Sequence, residues 1–232
     1  MTKRRIWELD ALRGLLVLGM VAVHLIYDLS SLFPMALAEN AVFLWVKNYG
    51  GLLFLLLSGL CVTLGSHALR RGAIVLGCGM VCSLVTYGMY RFGMLSYFTV
   101  IRFGVLHCLG ACMLLWPALK RLPIWLVALL GAAVIGLGYW FDSFYITTTW
   151  LYPLGLKTAF FSSGDYFPLA PNFGWFLLGA CLGRLLYKQK VSLLPKVNEN
   201  LLPLRLLRFC GRHALLIYLL HQPIITGLLM VL

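Results

Sequence analysis

Arg4–Leu29 reads RRIWELDALRGLLVLGMVAVHLIYDL. The apolar run inside it is long enough for a membrane span, which needs about 20 residues. It nevertheless carries Asp10, Arg13, His24 and Asp28. A helix advances about 100° per residue, so Arg13 and His24 nearly eclipse, Asp28 lies one turn beyond His24, and Asp10 lies one turn before Arg13. All four share one face, and the rest of the run is Leu, Val, Met, Ala and Gly, with Ile26 and Tyr27. Ionisable groups at membrane depth cost about 2.5–3.5 kcal/mol or more unless they face protein or a wet cavity. That face is therefore expected to point into a helical bundle. Glu8, Asp10 and Arg13 interrupt the start of the run and no A-x-A-like site follows, so the segment is expected to be a mature span and not a signal peptide.

The rest of the chain agrees with lipid as the solvent. Of 232 residues, 62% are hydrophobic and only 11% charged, and the mean hydropathy is +0.92. A soluble protein of this size does not hide that much apolar surface. The expected fold is an all-α polytopic transmembrane bundle with 1–232 as a single integral membrane domain. About seven spans are expected, near 10–31, 43–65, 72–92, 100–118, 122–141, 171–187 and 213–232. Pro123 and Pro171 open spans five and six, where a missing N–H costs little. Gly50-Gly51, Gly77, Gly79 and Gly131 are expected to let helices approach closely.

The net charge of +12 is a statement about topology. With the N-terminus cytoplasmic, only Lys47, Arg91, Arg102 and Lys157 of the 19 Lys and Arg fall outside. No nucleic-acid partner is needed to account for the charge. Two loops are long. Residues 142–170 form an outer loop of the kind that walls a pocket. Residues 188–212 form a basic inner loop, whose 201–210 stretch (LLPLRLLRFC) is expected to be a short amphipathic helix in the interface. The seven Cys include Cys78/Cys82 and Cys108/Cys112, each pair on one helix face; packing as small apolar groups fits them better than disulfides or a metal. There is no Walker, Rossmann or zinc motif.

Several ionisable residues invite a chemical reading. Asp28 can accept from one nitrogen of His24 and raise the basicity of the other, as an orienting carboxylate does for a general base. Asp10 and Arg13 read equally as an ion pair anchoring the inner end of the helix. His107 (in IRFGVLHCLG) and His221 (in IYLLHQPII) also lie at depth, where a lone His commonly serves helix–helix hydrogen bonding. His67 and His213 fall near the inner surface. Arg102 can bind an anion or snorkel, and Asp165 alone is an ordinary loop acid.

Arg4–Leu29, Phe103–Leu114 (FGVLHCLGACML), Ser162–Leu186 (SSGDYFPLAPNFGWFLLGACLGRLL) and Gly211–Ile225 (GRHALLIYLLHQPII) together resemble bacterial members of the heparan-alpha-glucosaminide N-acetyltransferase catalytic-domain family. The resemblance implies a membrane-embedded acyltransferase. Its co-substrate would be acetyl-CoA or another acyl-CoA on the cytoplasmic side, and its acceptor a sugar or similar molecule at the outer face. It implies a histidine as base or transient acyl carrier. Here that is His24, with Asp28 or Asp165 as acidic partner. Acyl transfer also needs donors for a developing oxyanion, and Arg102, His107, Tyr166 and His221 are the substrate or oxyanion candidates. The polyanionic CoA would meet a basic inner face of Arg5, Arg13, Arg70, Arg71 and Arg184, with Asp10 beside Arg13. No metal is required. The expected setting is a bacterial inner membrane, with room for a homo-oligomer.

Two other classes fit the same residues. A transporter would use Asp10, His24, Asp28 and His107 as a proton relay or substrate site, although the sequence holds no repeat of the kind many transporters show. A non-catalytic partner in envelope assembly would use its polar residues for packing alone.

Overall fold

The computed structural model describes residues 5–32 and 40–229. Lys3 and Arg4, which enter the charge count, and the end of the seventh expected span lie outside them. Among the described residues are eight α-helices: α1 (Trp7–Leu32), α2 (Ala41–Leu64), α3 (Ala68–Arg91), α4 (Val105–Leu119), α5 (Ile124–Phe141), α6 (Leu169–Leu186), α7 (Leu202–Arg212) and α8 (Ala214–Leu229). The fold is the expected all-α membrane bundle. Five helices (α1, α2, α3, α5 and α6) are long and apolar enough to cross a membrane, and α4 and α8 are shorter apolar helices.

The fourth span differs from expectation. It was expected to begin near residue 100, and its helix begins at Val105. Fifteen helical residues reach only about 22 Å of a hydrocarbon core about 30 Å thick. The preceding residues are extended and lie beside the 142–168 loop: Gly164 N–H donates to Val100 O (3.2 Å) and Phe167 N–H to Phe103 O (2.9 Å). Non-helical backbone at depth persists only where protein satisfies it, and this pairing does so. Before Pro171, Ala170 is non-helical (φ −99°, ψ 124°), as the residue preceding a proline tends to be.

The chain divides into two compact units, Met1–Phe54 with Gln189–Leu232, and Leu55–Lys188. In the first, α1 packs against α7 and α8. The α1–α7 contact is backbone on backbone: a Cβ on Gly14 would strike Leu207 O, and one on Gly211 would strike Asp10 O. The expected amphipathic segment is thus a helix, and one of its faces is seated on α1. Arg208 pairs with Glu199 (3.1 Å), and Glu8 accepts from Ser192 Oγ (2.9 Å) and Leu193 N–H (2.8 Å), tying the basic segment to the start of α1.

In the second unit α3 packs on α4, α5 on α6, and α4 on α6. Residues 104–110 are all buried, which makes the first half of α4 the centre of this unit. Of the expected close-approach glycines, Gly79 and Gly131 face neighbouring helices, whereas a Cβ on Gly77 meets nothing and one on Gly50 meets only Val46 of its own helix. The correction follows from helix geometry: Gly77 and Gly79 are two residues apart and cannot share a face.

Candidate active site

In the first unit, α1 and α8 bring His24, Asp28, His221 and Gln222 together. The His24 and His221 rings meet edge-on, with centroids 4.9 Å apart. Asp28 Oδ2 accepts from Gln222 Nε2 at 2.8 Å. His221 Nδ1 is hydrogen-bonded to Tyr218 O. A carbonyl can only accept, so Nδ1 carries the proton and Nε2 of the neutral ring is a lone pair. That Nε2 is buried and has no hydrogen-bond partner among the described residues, and the same holds for Gln222 Oε1. Donation of Nε2 to Asp28 fixes the amide, so Oε1 is an acceptor in search of a donor. Two adjacent residues thus present buried acceptors that no described residue fills. A buried polar atom left unsatisfied costs about 1–3 kcal/mol, and such atoms are rare in native structures without a functional reason. His24 is exposed, while His221 is buried. In sequence, Gln222 is marked only by its place between His221 and Pro223.

At the other end of α1, Asp10 accepts from Arg13 (2.9 Å) and lies 3.5 Å from Arg212; Arg13 also donates to Gly211 O (3.4 Å). This is the ion pair read from the sequence, extended by a second arginine from α7.

The second unit holds His107 in different circumstances. Gly104 N–H donates to His107 Nδ1 (3.2 Å), so the neutral ring carries its proton on Nε2, which donates to Ser83 Oγ (3.2 Å). His107 cannot take a proton from Ser83 in this state; it makes Ser83 a donor in turn. The start of α4 is capped from outside: Val105 N–H donates to Asp165 Oδ2 (2.9 Å), a carboxylate at the positive end of a helix dipole. Gly104 is required there, because a Cβ would collide with that same oxygen. Ser83 and Gly104 had no signal in the sequence.

Arg102 and His107 line one cavity of ≈ 570 Å³ with Ser83, Leu76, Met80 and Tyr97 among the walls. The Arg102 guanidinium sits over Tyr97 (4.6 Å) and Phe161 (5.7 Å) and makes no hydrogen bond or ion pair with a described residue. Tyr166, the third oxyanion candidate, spends its hydroxyl on Tyr152 O (2.7 Å). Burial, with Asp142 and Tyr152 nearby, pushes its phenol well above the usual range.

A second hollow, of ≈ 310 Å³, lies at the α2–α3 turn and the end of α4, lined by His67, Arg70, Trp116 and Lys120 among others. Arg71 Nε and Nη2 are buried there without a hydrogen-bond partner among the described residues. Arg184 is committed elsewhere: it donates to Leu122 O and Lys120 O and lies over Trp116. Arg5 is exposed. Among the described residues no three His, Cys, Asp or Glu side chains are placed to hold a metal, and all seven cysteines are free thiols.

The family model of the heparan-alpha-glucosaminide N-acetyltransferase catalytic domain matches residues 5–223. The chain belongs to this family. Membership points to membrane acetyltransferase activity, and generally to transfer that depends on acetyl-CoA. No curated protein and no solved structure matches the chain. The match to this acetyltransferase family runs through both units, so both the α1–α8 cluster and the α4 network fall within it.

Proposed function

We propose that the protein transfers an acetyl group from acetyl-CoA, bound at the cytoplasmic face of a bacterial inner membrane, to a hydroxyl or amine of a sugar-like acceptor from the opposite side, with the α1–α8 cluster as the reacting centre. The observation that carries this reading is the pair of buried acceptors, His221 Nε2 and Gln222 Oε1, beside the exposed His24 ring. A nucleophile that brings an O–H or N–H is what such a pair receives. As the acceptor oxygen or nitrogen bonds to the thioester carbonyl carbon, His221 Nε2 takes its proton. The C–S bond breaks, and the imidazolium returns that proton to the departing CoA sulfur. His24 stands edge-on to His221 on the exposed side of the cluster and fixes the orientation of that ring. Asp28 acts through Gln222, holding the amide so that Oε1 faces the nucleophile. Arg13 and Arg212, gathered at the first turns of α1 around Asp10, supply positive charge for the CoA phosphates. With the N-terminus cytoplasmic, that end of α1 is on the donor side.

The test is turnover of radiolabelled acetyl-CoA by purified protein with hexosamine and hexose acceptors, comparing wild type with His24→Ala and Gln222→Leu. Both variants are expected to lose at least about a hundredfold in turnover while eluting as folded protein. Undiminished turnover in both would place the chemistry elsewhere.

A further inference from the structure

A cavity of ≈ 570 Å³ lies beside α3. Its walls run along α3 from Leu76 through Met80, Ser83 and Leu84 to Tyr87. The eleven helical steps from Leu76 to Tyr87 rise about 16 Å, the hydrocarbon depth of one leaflet, about 15 Å. The two ends differ in chemistry. The Leu76–Met80 end is aliphatic and lies toward the middle of the span. At the other end, where α3 finishes and the extended residues 100–103 begin, stand Tyr87, Tyr97, Tyr152 and Arg102, the aromatic and cationic composition of a membrane–water interface. Met80 and Leu84 are 54% and 69% exposed, so the apolar half of the cavity opens sideways from the helix.

At the charged end, no described residue forms an ion pair with the Arg102 guanidinium. Arg102 is held between Tyr97 and Phe161, and none of its five N–H donors is used by a described residue. Stacking fixes the plane of the guanidinium and leaves its edge for a ligand, and phosphate geometry suits that fork. Ser83 adds a hydroxyl that, receiving a hydrogen bond from His107 Nε2, has its own proton to donate.

We infer that this cavity binds one anionic phospholipid, with its phosphate on Arg102 and an acyl chain along Met80 and Leu76. The site is independent of the acetyl-transfer reading.

The experiment reads lipid directly. Protein reconstituted in nanodiscs of equal phosphatidylcholine and phosphatidylglycerol is released into mild detergent, and retained lipid is counted by native mass spectrometry. Wild type is expected to keep one phosphatidylglycerol with about fivefold preference, the scale of one basic side chain at a membrane surface. R102Q should bring the preference to about one, R102K should keep most of it, and M80W, which fills the apolar half, should lose the retained lipid while leaving Arg102 in place. Unchanged retention in M80W, or unchanged preference in R102Q, overturns the inference, and M80W decides it alone if R102Q does not fold. Displacement of the lipid by millimolar glycerol 3-phosphate in wild type also overturns it, because the site would then be one for a free anion.

Discussion

His221 and His107 are both buried histidines on short apolar helices, yet the structure uses them in opposite ways. His107 has both ring nitrogens occupied, one by the Gly104 N–H and one by Ser83. His221 has one occupied and one bare, next to a bare amide oxygen on Gln222. The first ring completes a helix start. The second leaves a lone pair that no described residue uses, as the proposed base requires. Burial alone does not distinguish the two rings; the use of the second nitrogen does, and on the proposed reading that is what separates a structural histidine from a reactive one.

The largest expected effect breaks this contrast at its reactive end. His221→Ala removes the bare Nε2 and should lower acetyl transfer by about 10²–10⁴-fold, the usual worth of a positioned general base. His107→Ala should behave differently. It strands the Gly104 N–H and opens a hole in the most buried stretch of α4, at a cost of about 3 kcal/mol or more in stability, while turnover of the protein that stays folded falls by less than about tenfold. Turnover and thermal denaturation of the two variants, measured in the same detergent, check the pair. Equal loss of turnover with equal stability would erase the distinction.

Gly104→Ala comes next. Its Cβ must share space with Asp165 Oδ2, so either the cap or the start of α4 moves. A loss of about 1–3 kcal/mol is expected, read as a lower midpoint of thermal unfolding. Asp165→Asn should cost less, about 1 kcal/mol, because an amide oxygen can still accept from Val105 N–H while the charge facing the helix dipole is gone. Should Asp165→Asn instead abolish turnover at unchanged stability, the carboxylate would belong to the chemistry, as its pairing with His24 in the sequence reading supposed.

How much of this could be read from the sequence follows from the range of the interactions. The stripe Asp10, Arg13, His24 and Asp28 was legible because helical periodicity is local, and the Asp10–Arg13 pair formed within one turn as its spacing suggested. The helices themselves were legible from hydropathy, and the family from the order of four segments. The α1–α8 partners were not. Gln222 reaches Asp28 across 194 positions, and no pattern within either helix encodes that meeting. Likewise Asp165 meets the start of α4 only because residues 100–103 run extended beside 163–167, and an apolar run such as VIRFGVLHCL reads as uninterrupted helix until its partner is known. His107 and His221 looked alike in sequence because what separates them is a backbone N–H three residues back in one case and a carbonyl three residues back in the other.

The smallest effect sharpens the structural side of the contrast. Tyr166 lies in the 142–168 loop and donates its hydroxyl to Tyr152 O, with its ring against Phe161 (4.8 Å). Tyr166→Phe keeps the ring and removes one hydrogen bond, so a loss of about 1 kcal/mol at neutral pH is expected. The pH dependence is more specific. Burial raises the folded-state pKa of this phenol above its ordinary value of about 10. Below that value the phenol is protonated whether the chain is folded or not, and its contribution is fully present. Above it the unfolded chain releases the proton while the folded chain holds it, so stability falls as pH rises toward the folded pKa. Tyr166→Phe should therefore flatten the alkaline part of the stability profile while leaving the neutral part displaced by that one hydrogen bond. Unfolding midpoints taken from pH 7 to 11 measure both at once. A profile that falls as steeply in Tyr166→Phe as in wild type would mean that the loop, and with it the wall beside Arg102, opens before the phenol titrates.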